Sequence, residues 1–224
     1  MKNYTNKPIF IVGAERSGCG IIVSLLQRHG VWTGSLTGTG ENKRLRWLMG
    51  AYYNFLGMDE KRQYPLPDVS NIYLDAKWAE KCIESLQIEG YKEGVWLYKS
   101  AAILQTYPLW VKAFPEARFI VVLRDKKEVV NSCLKTGHMI AFSDKQKREA
   151  VKAQTEEDAW SWWYEYHMEL INQLSHSVSP QNIMYIYPAA LGDSHLPASA
   201  LLDWLDCGMS LDMDAYHYVK RLIK

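Results

Sequence analysis

The chain has 224 residues, a formal net charge of +1, 23% charged residues and 48% hydrophobic ones. Such a length ordinarily makes one domain with a sizeable core, read here as residues 1–224, and a near-neutral charge excludes nucleic-acid coating or an acidic tail as the basis of function. The four cysteines, Cys19, Cys82, Cys133 and Cys207, are scattered without a CxxC pair; that excludes a zinc ribbon or disulfide scaffold and points to a reducing, cytoplasmic compartment. The N-terminus MKNYTNKPIF has no apolar signal region, and no apolar run is long enough for a membrane span.

In chain order, the run Ile9 to Val12 predicts a strand buried on both faces. Gly13, Gly18 and Gly20 follow, with Ser17 and one cation, Arg16. A helix begins near Ile21 and stops at Gly30. Strand, glycine-rich turn and helix make an anion cradle, because glycines let backbone N–H groups converge and the helix start adds positive potential. The spacing of Gly13 and Gly18 matches the GxxxxGK[ST] loop of nucleotide triphosphatases, but Cys19 replaces its Lys and Gly20 its hydroxyl residue. A metal-free phosphate or sulfate site is therefore expected rather than magnesium-nucleotide chemistry.

Val31 and Trp32 predict a second short strand, and TGSLTGTGEN a loop over the sheet edge. Apolar spacing from Lys43 predicts a helix closed by Gly57. Asp59 to Ser70 reads as a connection, and Tyr73 to Ile88 as a helix with Trp78, Cys82 and Leu86 on one face. Val95 to Tyr98 predicts a strand ending at Lys99, then a helix from Ala102 to Phe114 that Pro108 disturbs. Arg118 to Leu123 is the clearest strand; Arg124 and Asp125 lead into a helix with Val129, Val130, Cys133 and Leu134 on its apolar side. A polar loop from Gly137 to Lys147, a long helix from Arg148 to His176, a strand Ile183 to Tyr187 and a helix Pro197 to Leu205 complete the chain. The Trp and Tyr residues of the long helix read as core, with an acceptor pocket as the alternative. Strands separated by helices imply an α/β fold, a parallel β-sheet flanked by helices. Ligands of such sheets bind beyond the strand carboxyl ends, where Arg16, Lys99 and Arg124 collect.

The stretch PIFIVGAERSGCGIIVSLL resembles the 5′-phosphosulfate loop of sulfotransferases that use 3′-phosphoadenosine-5′-phosphosulfate (PAPS). FPEARFIVVLRDKKEVVNSCL resembles their 3′-phosphate motif, a strand ending in Arg124 and a helix carrying Ser132. WLYKSAAILQTYPLWVKAFPEARF resembles the stretch before it, with Lys99 at the strand end. The likeness runs from Pro8 to Thr136, with a weaker echo to Gly208. It implies a P-loop-like sulfotransferase fold, sulfuryl transfer from PAPS to the hydroxyl of a small-molecule or carbohydrate acceptor, 3′,5′-adenosine bisphosphate as the product, and no metal or nucleic-acid partner.

The resemblance assigns Arg16, Ser17, Gly18, Cys19 and Gly20 to the 5′ side of the cofactor, Arg124 and Ser132 to its 3′-phosphate, and Lys99 to the transferring sulfonate. Some branches use a glutamate beyond the loop helix as the general base, and Glu41 in TGTGEN has that placement. Cytosolic members place a His two positions after the Lys, where Ala101 stands here; His138 and His167 are the fallback bases. Cys19-Gly20 replaces the usual Thr-Thr, Lys126 replaces a Pro, and the basic C-terminal segment of cytosolic members has no counterpart in YHYVKRLIK. Those departures keep two alternatives open, a catalytically impaired nucleotide-binding protein of the same fold and a P-loop kinase.

Overall fold

The computed structural model describes residues 7–58 and 61–223. Four parallel strands lie in the order β2-β1-β3-β4: β1 Ile9–Val12, β2 Leu97–Lys99, β3 Arg118–Val122 and β4 Ile183–Ile186. Ile9 pairs with Leu97 on one side and Arg118 on the other, so the first strand occupies the middle of the sheet.

Strand side chains alternate between faces. Phe10, Val12, Tyr98, Phe119 and Val121 enter one core; Ile9, Ile11, Leu97, Ile120 and Val122 enter the other. The first core is covered by α2 (Lys43–Phe55), α3 (Trp78–Ile88), α4 (Ala101–Gln105), α5 (Tyr107–Ala113) and α8 (Glu156–Ser177). The second is covered by α1 (Cys19–Arg28), α9 (Pro188–Asp193), α10 (Leu196–Leu205) and α11 (Met213–Lys220). A third, smaller core joins α6 (Lys126–Lys135) to α8, with Ala14, Met139, Phe142, Trp160 and Trp163 buried in it.

Several predicted elements change shape. Val31-Trp32 is not a strand: Trp32 makes a single parallel bridge to Trp96. The helix expected from Tyr73 begins at Trp78, because Asp75 takes the Lys77 N–H on its side chain and the Trp78 N–H on its carbonyl. The helix through Pro108 divides at Thr106, since proline lacks the N–H that would continue the ladder. The single helix expected from Arg148 is two. Helix α7 spans Lys145–Ala150, Lys152 turns left-handed at φ 58°, and α8 restarts at a capping box in which Thr155 and Asp158 satisfy each other's backbone N–H. Leu134 faces solvent, 39% exposed, and the 137–147 loop is not wholly polar because it buries Met139, Ala141 and Phe142. Sequence patterning did not anticipate α9 or α11. The predicted connection from Asp59 opens on two residues outside the described ones. Among the described residues no helix is long and apolar enough to cross a membrane.

Candidate active site

The site lies beyond the carboxyl ends of β1, β2 and β3. After β1, Gly13 passes so close to β3 that an added Cβ would lie 2.5 Å from the Val122 carbonyl oxygen. Arg16 adopts φ 71°, a left-handed conformation that is strained without glycine. Gly18, at φ 92°, caps α1 without a side-chain bond. The Ser17 N–H turns back to the Ala14 carbonyl at 3.2 Å, so it is not offered outward. Among the described residues no carbonyl takes the N–H groups of Gly18, Cys19 or Gly20, which are the orphan donors of a helix start. The Ser17 hydroxyl is buried and also lacks a partner, an arrangement a phosphate or sulfate oxygen would satisfy. Cys19 points inward; burial pushes its thiol up to about 11, with Lys99 opposing. Around Gly20 an added Cβ would meet nothing within 4 Å.

Beside this cradle is an open cleft of about 600 Å³ lined by Arg16, Arg124, Glu128, Asn131, Ser132, Lys135 and Thr136. The Arg16 Nε donates to Ser132 Oγ at 2.9 Å. Arg124 donates from Nη1 to the Arg16 carbonyl at 3.1 Å and from Nε to Glu128 at 2.6 Å. The Tyr164 hydroxyl holds the Arg124 carbonyl at 2.9 Å. Asp125 caps α6 by accepting the Lys127 and Glu128 N–H groups, which orients the helix that carries Ser132.

A second polar cluster surrounds Glu41. The 33–42 loop returns over the start of α1, with Gly40 against Val23 and Gly20, and Lys99 Nζ donates to the Thr39 carbonyl at 3.3 Å. Glu41 accepts from Ser100 Oγ at 2.7 Å and from Arg46, while Arg62 lies 3.6 Å away. Burial works to raise the Glu41 pKa, but Arg62, Lys99, the Ser100 hydroxyl and Arg46 outweigh it and hold the carboxyl below its ordinary value. Glu15 behaves oppositely: burial raises its pKa, Lys99 opposes, and Glu41 adds to the rise.

The profile of the sulfotransferase family matches residues 8–210. The chain belongs to that family. No curated protein sequence matches it. Similar solved structures include the sulfotransferase domain of the Synechococcus PCC 7002 olefin synthase, at 17% identity and TM-score 0.60, covering 96% of this chain and 78% of that one. Sulfotransferase STF9 from Mycobacterium avium aligns at 16% identity and TM-score 0.58 over 97% of this chain and 68% of that one. A sulfotransferase from Alicyclobacillus acidocaldarius aligns at 14% identity and TM-score 0.56 over 97% and 91%. At these identities the structures speak for the fold alone, a parallel sheet flanked by helices in the P-loop-like sulfotransferase arrangement.

Within this sulfotransferase, Arg16, Arg124 and Ser132 come together in the cleft, whereas Lys99 and Glu41 share the second cluster. Arg124 also makes an ion pair with Glu128. His167 is fully buried between the Trp163 carbonyl and the Gln105 side chain, and burial pushes its pKa down to about 4; it is a neutral core residue, not a base facing substrate. The His138 carbonyl accepts from Gln63 at 2.7 Å, and the residue is exposed. Trp160 and Trp163 are core, while Trp162, Tyr164 and Tyr166 are partly buried. Sequence reasoning missed Glu15, Arg46 and Arg62, whereas Glu128 was within its reach as a neighbouring salt-bridge partner for Arg124. Ser100 adjoins Lys99 and was within reach of the strand-end pattern. Arg62 lies in an irregular connection that carries no pattern, yet it is only 7% exposed.

Proposed function

We propose that this sulfotransferase moves a sulfuryl group from PAPS to the hydroxyl of a small-molecule or carbohydrate acceptor, releasing 3′,5′-adenosine bisphosphate. The observation that carries the reading is the convergence of Arg16, Arg124 and Ser132, from two separate segments, on one cleft beside the unpaired N–H groups of α1. The residues fit a nucleotide with anionic groups at both ends: an orphaned Ser17 hydroxyl and helix-start amides at one, a guanidinium pair and a hydroxyl at the other.

When bound, PAPS supplies the activated sulfuryl group. The helix-start amides and Ser17 would hold its 5′-phosphate side, and Arg124 and Ser132 its 3′-phosphate. Lys99 is the proposed partner of the sulfonate oxygens, where a fixed cation stabilises developing charge. Glu41 is the proposed base for the acceptor hydroxyl. Its cationic neighbours keep it ionised at neutral pH and make it a weak base, so it takes the proton once the oxygen has begun to lose electron density. The four cysteines are free thiols, which supports a reducing compartment such as the cytoplasm.

The inward thiol of Cys19 and the bare Gly20 favour one competitor, a nucleotide-binding protein without turnover. Thermal melting with 3′,5′-adenosine bisphosphate and, separately, magnesium-ATP tests these readings. A ligand at a hundred times its Kd contributes about 2.7 kcal/mol, which for a chain of this size raises Tm by roughly 5–10 °C. The bisphosphate is expected to do this without metal. A response to magnesium-ATP alone would support a kinase, and no response to either would sink the nucleotide assignment.

A further inference from the structure

Glu41 ends a buried polar chain whose inner members the proposed transfer leaves without a role. Ser100, Arg62, Gln105 and His167 are all buried. The Ser100 hydroxyl accepts from the Ala102 N–H at 3.2 Å and from Arg62 Nη1 at 3.1 Å. A hydroxyl has two acceptor sites and one proton, so the proton is left for Glu41 Oε1, which lies 2.7 Å away. Arg62 is fixed in turn through its main chain: it stands at φ 58°, and its carbonyl accepts from Gln105 Nε2 at 3.1 Å. Gln105 is itself held, its Oε1 accepting the Tyr53 hydroxyl at 2.5 Å and its Nε2 lying 2.9 Å from His167 Nε2.

The two carboxylate oxygens of Glu41 therefore differ. Oε1 is tied to the buried chain, whereas Oε2 meets Arg46, whose side chain is 47% exposed. A buried guanidinium on a left-handed backbone is costly, and this one is aimed at Ser100 and lies 3.6 Å from Glu41 Oε1. We propose that Arg62 and Ser100 are positioning residues: they clamp Oε1 so that Oε2, on the side of the exposed Arg46, receives the acceptor proton as the acceptor displaces Arg46. Oε2 takes the proton, the O–H pair stays on the acceptor oxygen as it bonds to sulfur, and the broken S–O pair leaves with the bisphosphate. The proposal rests on the reading of Glu41 as the base and adds the residues that aim it. The other ionisable groups acting with Glu41 are Lys99 and Tyr98 from β2, Arg46 from α2, Glu15 from the β1–α1 loop and Cys19 from α1. Burial works to raise the Glu41 pKa, and Arg62 stands first among the groups that lower it.

Isotopic labelling of glutamate carboxyls lets Glu41 be titrated by NMR in the unliganded chain, its signal identified by its loss in Glu41→Gln. Release of 3′,5′-adenosine bisphosphate from PAPS, with glycerol and water as the acceptors, gives the pH–rate profile. Arg62→Met removes the charge and keeps the length. It should move both the NMR midpoint and the acid limb of the profile to higher pH, because the base must be ionised and has lost a cation. Turnover at neutral pH should fall by roughly tenfold to a hundredfold, while calorimetric binding of the bisphosphate stays unchanged. Arg62→Lys, which keeps the charge, should bring both midpoints back toward the unmodified values. Ser100→Ala should shift them in the same direction as Arg62→Met, and Ser100→Thr, which keeps the hydroxyl, should restore them, so the test does not depend on whether Arg62→Met folds. An NMR midpoint that stays put, or one that moves while the acid limb does not, overturns the proposal and leaves the nucleotide reading standing. If the unmodified chain binds no bisphosphate or cleaves no PAPS, the transfer reading fails and the proposal falls with it.

Discussion

Glu15 and Glu41 face the same lysine and respond to protons in opposite directions. The folded-state pKa of Glu41 is depressed, so its ionised form adds stability above the ordinary carboxylate range, and this is lost as pH falls through the folded value. Glu15 is raised, so the native state favours its protonated form, and that contribution is lost as pH rises through the raised value. Glu15→Gln is therefore expected to raise the urea midpoint at pH 7–8 and to leave it unchanged well below the carboxylate range. Glu41→Gln should lower the midpoint at neutral pH and lose the acid-dependent fall. Equal midpoint changes at both pH values for either variant would contradict the assignment. With an acceptor in hand, Glu41→Gln should also cut turnover by roughly a hundred- to ten-thousand-fold while bisphosphate titration stays near the unmodified value. Full turnover would move the base elsewhere, and Glu15 is then the next carboxylate to replace. The strand-end pattern singled out Arg16, Lys99 and Arg124, because each follows or closes an apolar strand run where the pattern yields to charge; Ser132 sits within α6 and was singled out by the family resemblance alone. Arg62 was not legible: its side chain reaches Glu41 only because an irregular connection crosses the site, and no local pattern records that path.

At the scale of elements, the loop between β1 and α1 shows which glycines are structural. Gly13 has no room for a methyl group, since the Val122 carbonyl of the neighbouring strand lies 2.5 Å from the added carbon. Gly13→Ala should destabilise by about 1–3 kcal/mol through forced separation of β1 and β3, measured as a lowered denaturation midpoint. Gly20 has open space and is already helical. Gly20→Thr should change stability by less than about 1 kcal/mol and give the cradle a hydroxyl. A large loss there, or none at Gly13, would show that the loop relaxes differently from its folded geometry. The sequence placed this loop correctly because glycine spacing is local. It misjudged α7 and α8 because helical spacing runs through both segments, while the capping box that separates them depends on two side chains, Thr155 and Asp158.

Across the whole molecule, alternating apolar strands and amphipathic helices made the parallel α/β class readable, as did burial of both sheet faces. Strand order was not readable. The runs at Leu97, Arg118 and Ile183 are all apolar, and nothing in their composition says that two of them flank β1 while the third lies outside β3. That order has a kinetic consequence. Of the four strands described, the earliest in the chain is one of the two inner ones, and both of its partners come much later in the sequence. Until Arg118–Val122 is made, Ile9–Val12 has at most one neighbour, and its apolar side chains wait with one edge unpaired. Parallel pairing over such separations is slow, with folding times of milliseconds to seconds for non-local topologies. A chain ending at Phe114 should lack a protease-resistant sheet, and a chain extended past the last helix should acquire one. Early resistance in the shorter chain would mean that β1 and β2 settle on their own. Otherwise the nascent N-terminal half is the stretch most exposed to aggregation, and the time a chaperone must hold it is set by how quickly the ribosome reaches β3.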